Sequence, residues 1–129
     1  MKAQQIFLLL AAVGLLPIAL SYGFSPANSL SFLFDINAEP INVTHIFRAV
    51  MGLYLALVLF WVAGALKASI RLAALYSLVV FMLGLAAGRS LSLFIDGMPH
   101  WLLVVYLLLE IGFGVVGIQM IRKTVLEDV

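Results

Sequence analysis

His45, Arg48, Arg89, Ser92, Asp96, Tyr106 and Glu110 are polar side chains set within or at the rims of long apolar runs. An ionised group buried in hydrocarbon costs at least about 2.5–3.5 kcal/mol, so each must find a partner, water or a headgroup. Their spacing is helical. His45 and Arg48 are three apart, with Gly52 one turn deeper on the same face; Arg89, Ser92 and Asp96 fall at i, i+3 and i+7; Tyr106 stands one turn from Glu110. Two guanidinium groups balance two carboxyl groups, so these residues are expected to form one polar cluster in the outer half of a bundle. In that cluster Arg48 and Arg89 reach toward Glu110 and Asp96. The alternatives are arginines that snorkel to the headgroups and a neutral Glu110 hydrogen-bonded to Tyr106 or a serine. Arginine's rigid fork fits carboxylate or phosphate, a mid-membrane acid is suited to proton exchange, and a histidine is suited to acid–base work.

Other chemistry is poorly supplied. The chain has no cysteine, which removes disulfides, thiolate metal sites and thiol nucleophiles. Its two histidines, His45 and His100, lie in different apolar runs and fall short of a di-iron ligand set. Ser90 and Ser92 lack the surroundings of an activated nucleophile. No catalytic residue, cofactor or metal site is therefore assigned, and an enzyme is the less favoured reading. A formal net charge of +1 lacks the electrostatic footprint of a nucleic-acid binder.

The elements that must position these side chains follow from composition. Of the 129 residues, 65% are hydrophobic and 10% charged, against about 45–50% apolar in soluble domains. The mean hydropathy is +1.22. Four crossings of roughly 20 residues each account for nearly all of that apolar content. The apolar runs place spans at about 5–24, 45–66, 72–94 and 100–121, giving an all-α integral membrane four-helix bundle as a single membrane domain over 1–129. The first run also carries Ala19-Leu20-Ser21, a spacing a signal peptidase accepts, but its length and the three spans that follow favour a retained helix. Pro17 is expected to bend it. Residues 25–44 form the one long polar stretch, read as an outward loop whose Leu30–Phe34 patch either lies in the headgroup zone or plugs the bundle. Thr44 or Asn42 is expected to cap the second span, and Pro99 to open the fourth. Gly84 and Gly88 form a GxxxG, and Gly112, Gly114 and Gly117 flatten the fourth helix for close packing.

Lys2, Lys67, Arg71, Arg122 and Lys123 all fall on one side of a four-span chain, whereas Asp35, Glu39 and Asp96 fall on the other. The positive-inside rule then makes both termini cytoplasmic. The bilayer is the first expected partner. A small anionic or lipid-like ligand in an outward-facing pocket is the second. The alternatives are proton- or ion-coupled transport, for which so short a chain without internal repeats would need to form a homo-oligomer, and a scaffold whose ion pairs only fix helix register.

The stretches Thr44–Tyr54, Gly88-Arg89-Ser90-Leu91-Ser92, Asp96-Gly97-Met98-Pro99 and Glu110 with Gly114 resemble a bacterial family of small four-helix membrane proteins known only as domain of unknown function 4345. The resemblance runs from the first helix to Arg122 and implies the four-helix topology and a bacterial inner-membrane location. It carries no activity, cofactor or substrate with it.

Overall fold

The computed structural model describes residues 1–128. Five helices follow one another: α1 (Ala3–Gly23), α2 (Pro26–Phe34), α3 (Ile41–Leu66), α4 (Ala68–Ile95) and α5 (Trp101–Glu127). Four of them, α1, α3, α4 and α5, are long and apolar enough to cross a membrane. The molecule is a four-helix membrane bundle. In it α1 packs mainly on α3, α3 on α4 and α4 on α5, while the seam between α1 and α5 is sparse.

The seams are set by small residues at helical spacing. On α3 the buried stripe is Tyr54, Val58, Trp61 and Ala65; on α4 it is Ala74, Leu75, Leu78, Met82 and Ala86; on α5 it is Leu107, Glu110, Gly114 and Gly117. A Cβ on Gly64 would collide with Ala74, one on Gly114 with Leu83, and one on Gly117 would lie 2.6 Å from Val79 Cγ2. Gly23, where a Cβ would collide with Met51 on α3, is a fourth such close approach. Gly84, Gly88 and Gly112 face open space instead, so the GxxxG does not mediate packing within the chain, and of the α5 glycines only Gly114 and Gly117 do. The indole of Trp61, fully buried, donates to Ser77 Oγ at 3.0 Å, and that hydroxyl donates to Ala74 O at 2.7 Å. The pair ties α3 to α4 through a satisfied polar bridge, which hydrocarbon requires of any buried donor.

Several boundaries differ from those expected. The polar stretch holds α2, with Pro26 at its first turn and Leu30 and Phe34 buried one and two turns later. It ends at Asp35 in the left-handed region (φ 58°), whose N–H, with that of Ile36, closes onto the last carbonyls. Leu30 and Phe34 cover the bundle end while Phe32 is 88% exposed, so the segment both plugs the bundle and presents an apolar side chain outward. Helix α3 begins at Ile41, earlier than expected, because Pro40 supplies a preset φ of −57° at the N-cap. Neither Asn42 nor Thr44 caps it; Thr44 Oγ1 donates to Ala38 O at 2.8 Å. Pro99 stays outside α5, whose N-cap is His100: Nδ1 accepts from Leu102 N at 3.2 Å. Past residue 121 α5 continues to Glu127, since Thr124-Val125-Leu126 contains no breaker.

Only Lys67 separates α3 from α4. So tight a turn leaves the last carbonyls of α3 without helical donors. Arg71 supplies them, Nε to Gly64 O and Nη2 to Ala65 O, both at 3.0 Å, and Gln5 Nε2 adds a third bond to Ala65 O. At the same end Gln4 Nε2 donates to Glu127 Oε2 at 3.0 Å, and Lys2 Nζ lies 3.5 Å from that oxygen, joining the start of α1 to the end of α5.

Candidate functional site

Near the other end, α4 and α5 bring two of the embedded charges together. Arg89 continues the inward stripe of Met82 and Ala86, and Glu110 lies one turn from Leu107 and Gly114 on the inward stripe of α5. Arg89 Nε donates to Glu110 Oε1 at 2.6 Å, the carboxyl side chain only 8% exposed. This is a short, charge-assisted bond. Tyr106, one turn from Glu110, sets its ring 5.7 Å from the guanidinium carbon, a cation–π contact. Tyr54 and Tyr22 complete an aromatic wall. Tyr54 meets Tyr22 at 5.6 Å and Phe81 at 5.0 Å, both edge-on, and Phe34 from α2 caps the group edge-on to Tyr106 at 6.2 Å.

The second carboxyl oxygen is different. Glu110 Oε2 is buried and has no hydrogen-bond donor among the described residues. Glu110 is among the residues lining a cleft of about 80 Å³ that runs between the sparsely packed helices α1 and α5. Gly14, Leu15 and Ile18 form its α1 wall, Leu109 and Phe113 its α5 wall, and Leu85 with Tyr54 its floor. Gly14 and Leu109 are exposed on the lipid-facing surface, so the cleft opens sideways into the bilayer. The lining is apolar apart from Arg89, Glu110 and two phenol hydroxyls.

The remaining residues of the expected cluster lie elsewhere. Arg48 does not reach either carboxyl group; Nη1 donates at 3.1 Å to Gly23 O, completing the last turn of α1. His45 lies with Arg48, Ile41 and Thr44 around an open surface concavity. Both are exposed because α3 turns Phe47, Val50 and Tyr54 inward, which places the His45–Arg48–Gly52 face outside. Asp96 stays on its own helix, accepting from Ser92 Oγ at 2.7 Å. Tyr22 and Tyr54 were not singled out from the sequence. The signal available was the run Tyr54-Val58-Trp61-Ala65, an inward stripe that Arg48 does not share.

Among the described residues no three His, Asp or Glu side chains converge as metal ligands would. In comparisons with known proteins, the family model described as Domain of unknown function (DUF4345) matches residues 3–120. No curated protein and no solved structure matches the chain.

Proposed function

The chain belongs to the family described as Domain of unknown function (DUF4345), and on that premise we propose that it is a non-catalytic binding protein of the bacterial inner membrane, both termini cytoplasmic. Its site is the cleft between α1 and α5. Its ligand is lipid-like and neutral: a bilayer-soluble molecule with an apolar body and a hydroxyl or N–H head. The observation that carries this reading is Glu110, which lines the cleft and whose Oε2 is a buried acceptor without a donor among the described residues. An unmet buried polar group costs about 1–3 kcal/mol, and a donor on the guest removes that cost. An anionic head fits less well. The charge of Arg89 is already met by Glu110, and Arg48 is engaged at the end of α1.

A photoreactive long-chain alcohol, reconstituted with the protein in lipid vesicles, tests this. Adducts mapped by mass spectrometry are expected on Leu15, Ile18, Leu109 and Phe113. Gly14→Leu should abolish them without loss of folding, because a Cβ there meets no neighbour within 4 Å and Gly14 lines the cleft. The matched photoreactive alkane, lacking the hydroxyl, should label the cleft less. Adducts spread evenly over the lipid-facing surface, or unchanged in Gly14→Leu, overturn the reading.

A further inference from the structure

Arg89 borders two cavities. One is the lateral cleft; the other, about 100 Å³, lies beneath the α4–α5 turn and is lined by Arg89, Ser92, Gly97, Leu103, Val104 and Leu107. The two differ in what surrounds them. The cleft opens toward lipid between α1 and α5, whereas the second cavity sits at the end of the bundle, where Ser92, Gly97 and the adjoining Asp96 are exposed. A cavity holds water when it has at least roughly 10–15 Å³ of room per molecule and two to four polar partners. This one has room for several, with the polar residues Arg89 and Ser92 in its lining and Leu93, in the last turn of α4, beside them. Arg89 lies six residues inside the end of α4, about 9 Å along the helix.

We infer that the cavity beneath the α4–α5 turn is a hydrated vestibule and that the Arg89 side chain, held by Glu110 and Tyr106, is the partition between it and the lipid-facing cleft. Water then reaches the guanidinium from one side and the membrane interior reaches the carboxyl group from the other. The ion pair stands at the boundary of the two phases, and a guest in the cleft meets the aqueous phase on that side only past Arg89. The inference goes beyond the binding reading: a dry vestibule would leave the cleft and its adducts intact.

The absence of native cysteine allows single thiols to report alone. Methanethiosulfonate reagents attack the thiolate, which needs water around it, so a charged, membrane-impermeant member of that class maps hydration. Val104→Cys stands on the vestibule side and Leu85→Cys on the cleft side, and both positions are half-buried. With the reagent on the face that carries the α4–α5 turn, Val104→Cys should react at least about tenfold faster than Leu85→Cys, the difference reflecting thiolate access. Combining Leu85→Cys with Arg89→Ala and Glu110→Gln, which removes the partition and keeps the site neutral, should raise its rate toward that of Val104→Cys. Arg89→Lys, which narrows the side chain and retains its charge, should give a smaller rise in the same direction if the double variant does not fold. Equal inertness of Val104→Cys and Leu85→Cys shows a dry cavity and overturns the inference. So does a Leu85→Cys rate that is already high with Arg89 in place, or one that no change at Arg89 increases.

Discussion

Arg89 and Arg48 differ in what their loss exposes. Arg89→Ala strands a carboxylate that is 8% exposed in its side chain, and removing one partner of a buried pair costs about 3 kcal/mol or more. The double variant Arg89→Met, Glu110→Leu removes both charges and should be more stable than Arg89→Ala alone, as read by unfolding in bicelles. Additive losses would show that the two groups do not interact. Arg48→Ala loses one bond to Gly23 O on an exposed side chain, so it should cost about 1 kcal/mol and leave the cleft adducts unchanged. The sequence distinguishes these arginines only through the phase of their helices. Arg89 falls on the stripe of Met82 and Ala86 and so was legible as an inward charge, and its partner Glu110 with it. Arg48 shares a face with His45 and Gly52, a polar-looking set whose exposure becomes visible only once Tyr54, Val58 and Trp61 define the inward stripe.

At the scale of the helices, glycine spacing alone does not tell a seam from a lipid-facing groove. Gly117→Val should destabilise by about 1–3 kcal/mol through overpacking, because its Cβ would press on Val79. Gly84→Ala and Gly88→Ala should be neutral or slightly stabilising, since open space surrounds both and alanine is the better helix former by about 1 kcal/mol. Thermal unfolding in detergent separates the two outcomes, and equal losses at Gly84 and Gly117 would contradict the packing described. The four spans were readable because hydrocarbon demands long uninterrupted apolar helices. The extent of α2 was not. Its anchors, Leu30 and Phe34, are one turn apart within a polar stretch, and Phe34 is fixed by contact with Tyr22, Tyr106 and His100 from distant parts of the chain. The far end of α5 was missed for the opposite reason: the apolar run stops at Ile121, but the backbone has no cause to stop there.

Across the whole molecule, the antiparallel order of α1, α3, α4 and α5 gathers Lys2, Lys67, Arg71, Arg122 and Lys123 at the end that joins the start of α1 to the end of α5, and leaves Asp35, Glu39 and Asp96 at the other. The positive-inside rule predicts that the first end is cytoplasmic, which would make the proposed vestibule beneath the α4–α5 turn face out. Single cysteines at exposed positions decide this. Met98→Cys and Asn37→Cys should react with an impermeant maleimide in intact cells, and Ser69→Cys only after the membrane is opened. The reverse pattern would turn the protein over, so that the vestibule would take its water from the cytoplasm while the cleft between α1 and α5, which opens sideways, would be unaffected. Labelling of Met98→Cys and Ser69→Cys from the same face would mean that α4 does not cross at all, and the lateral cleft could not then open into lipid.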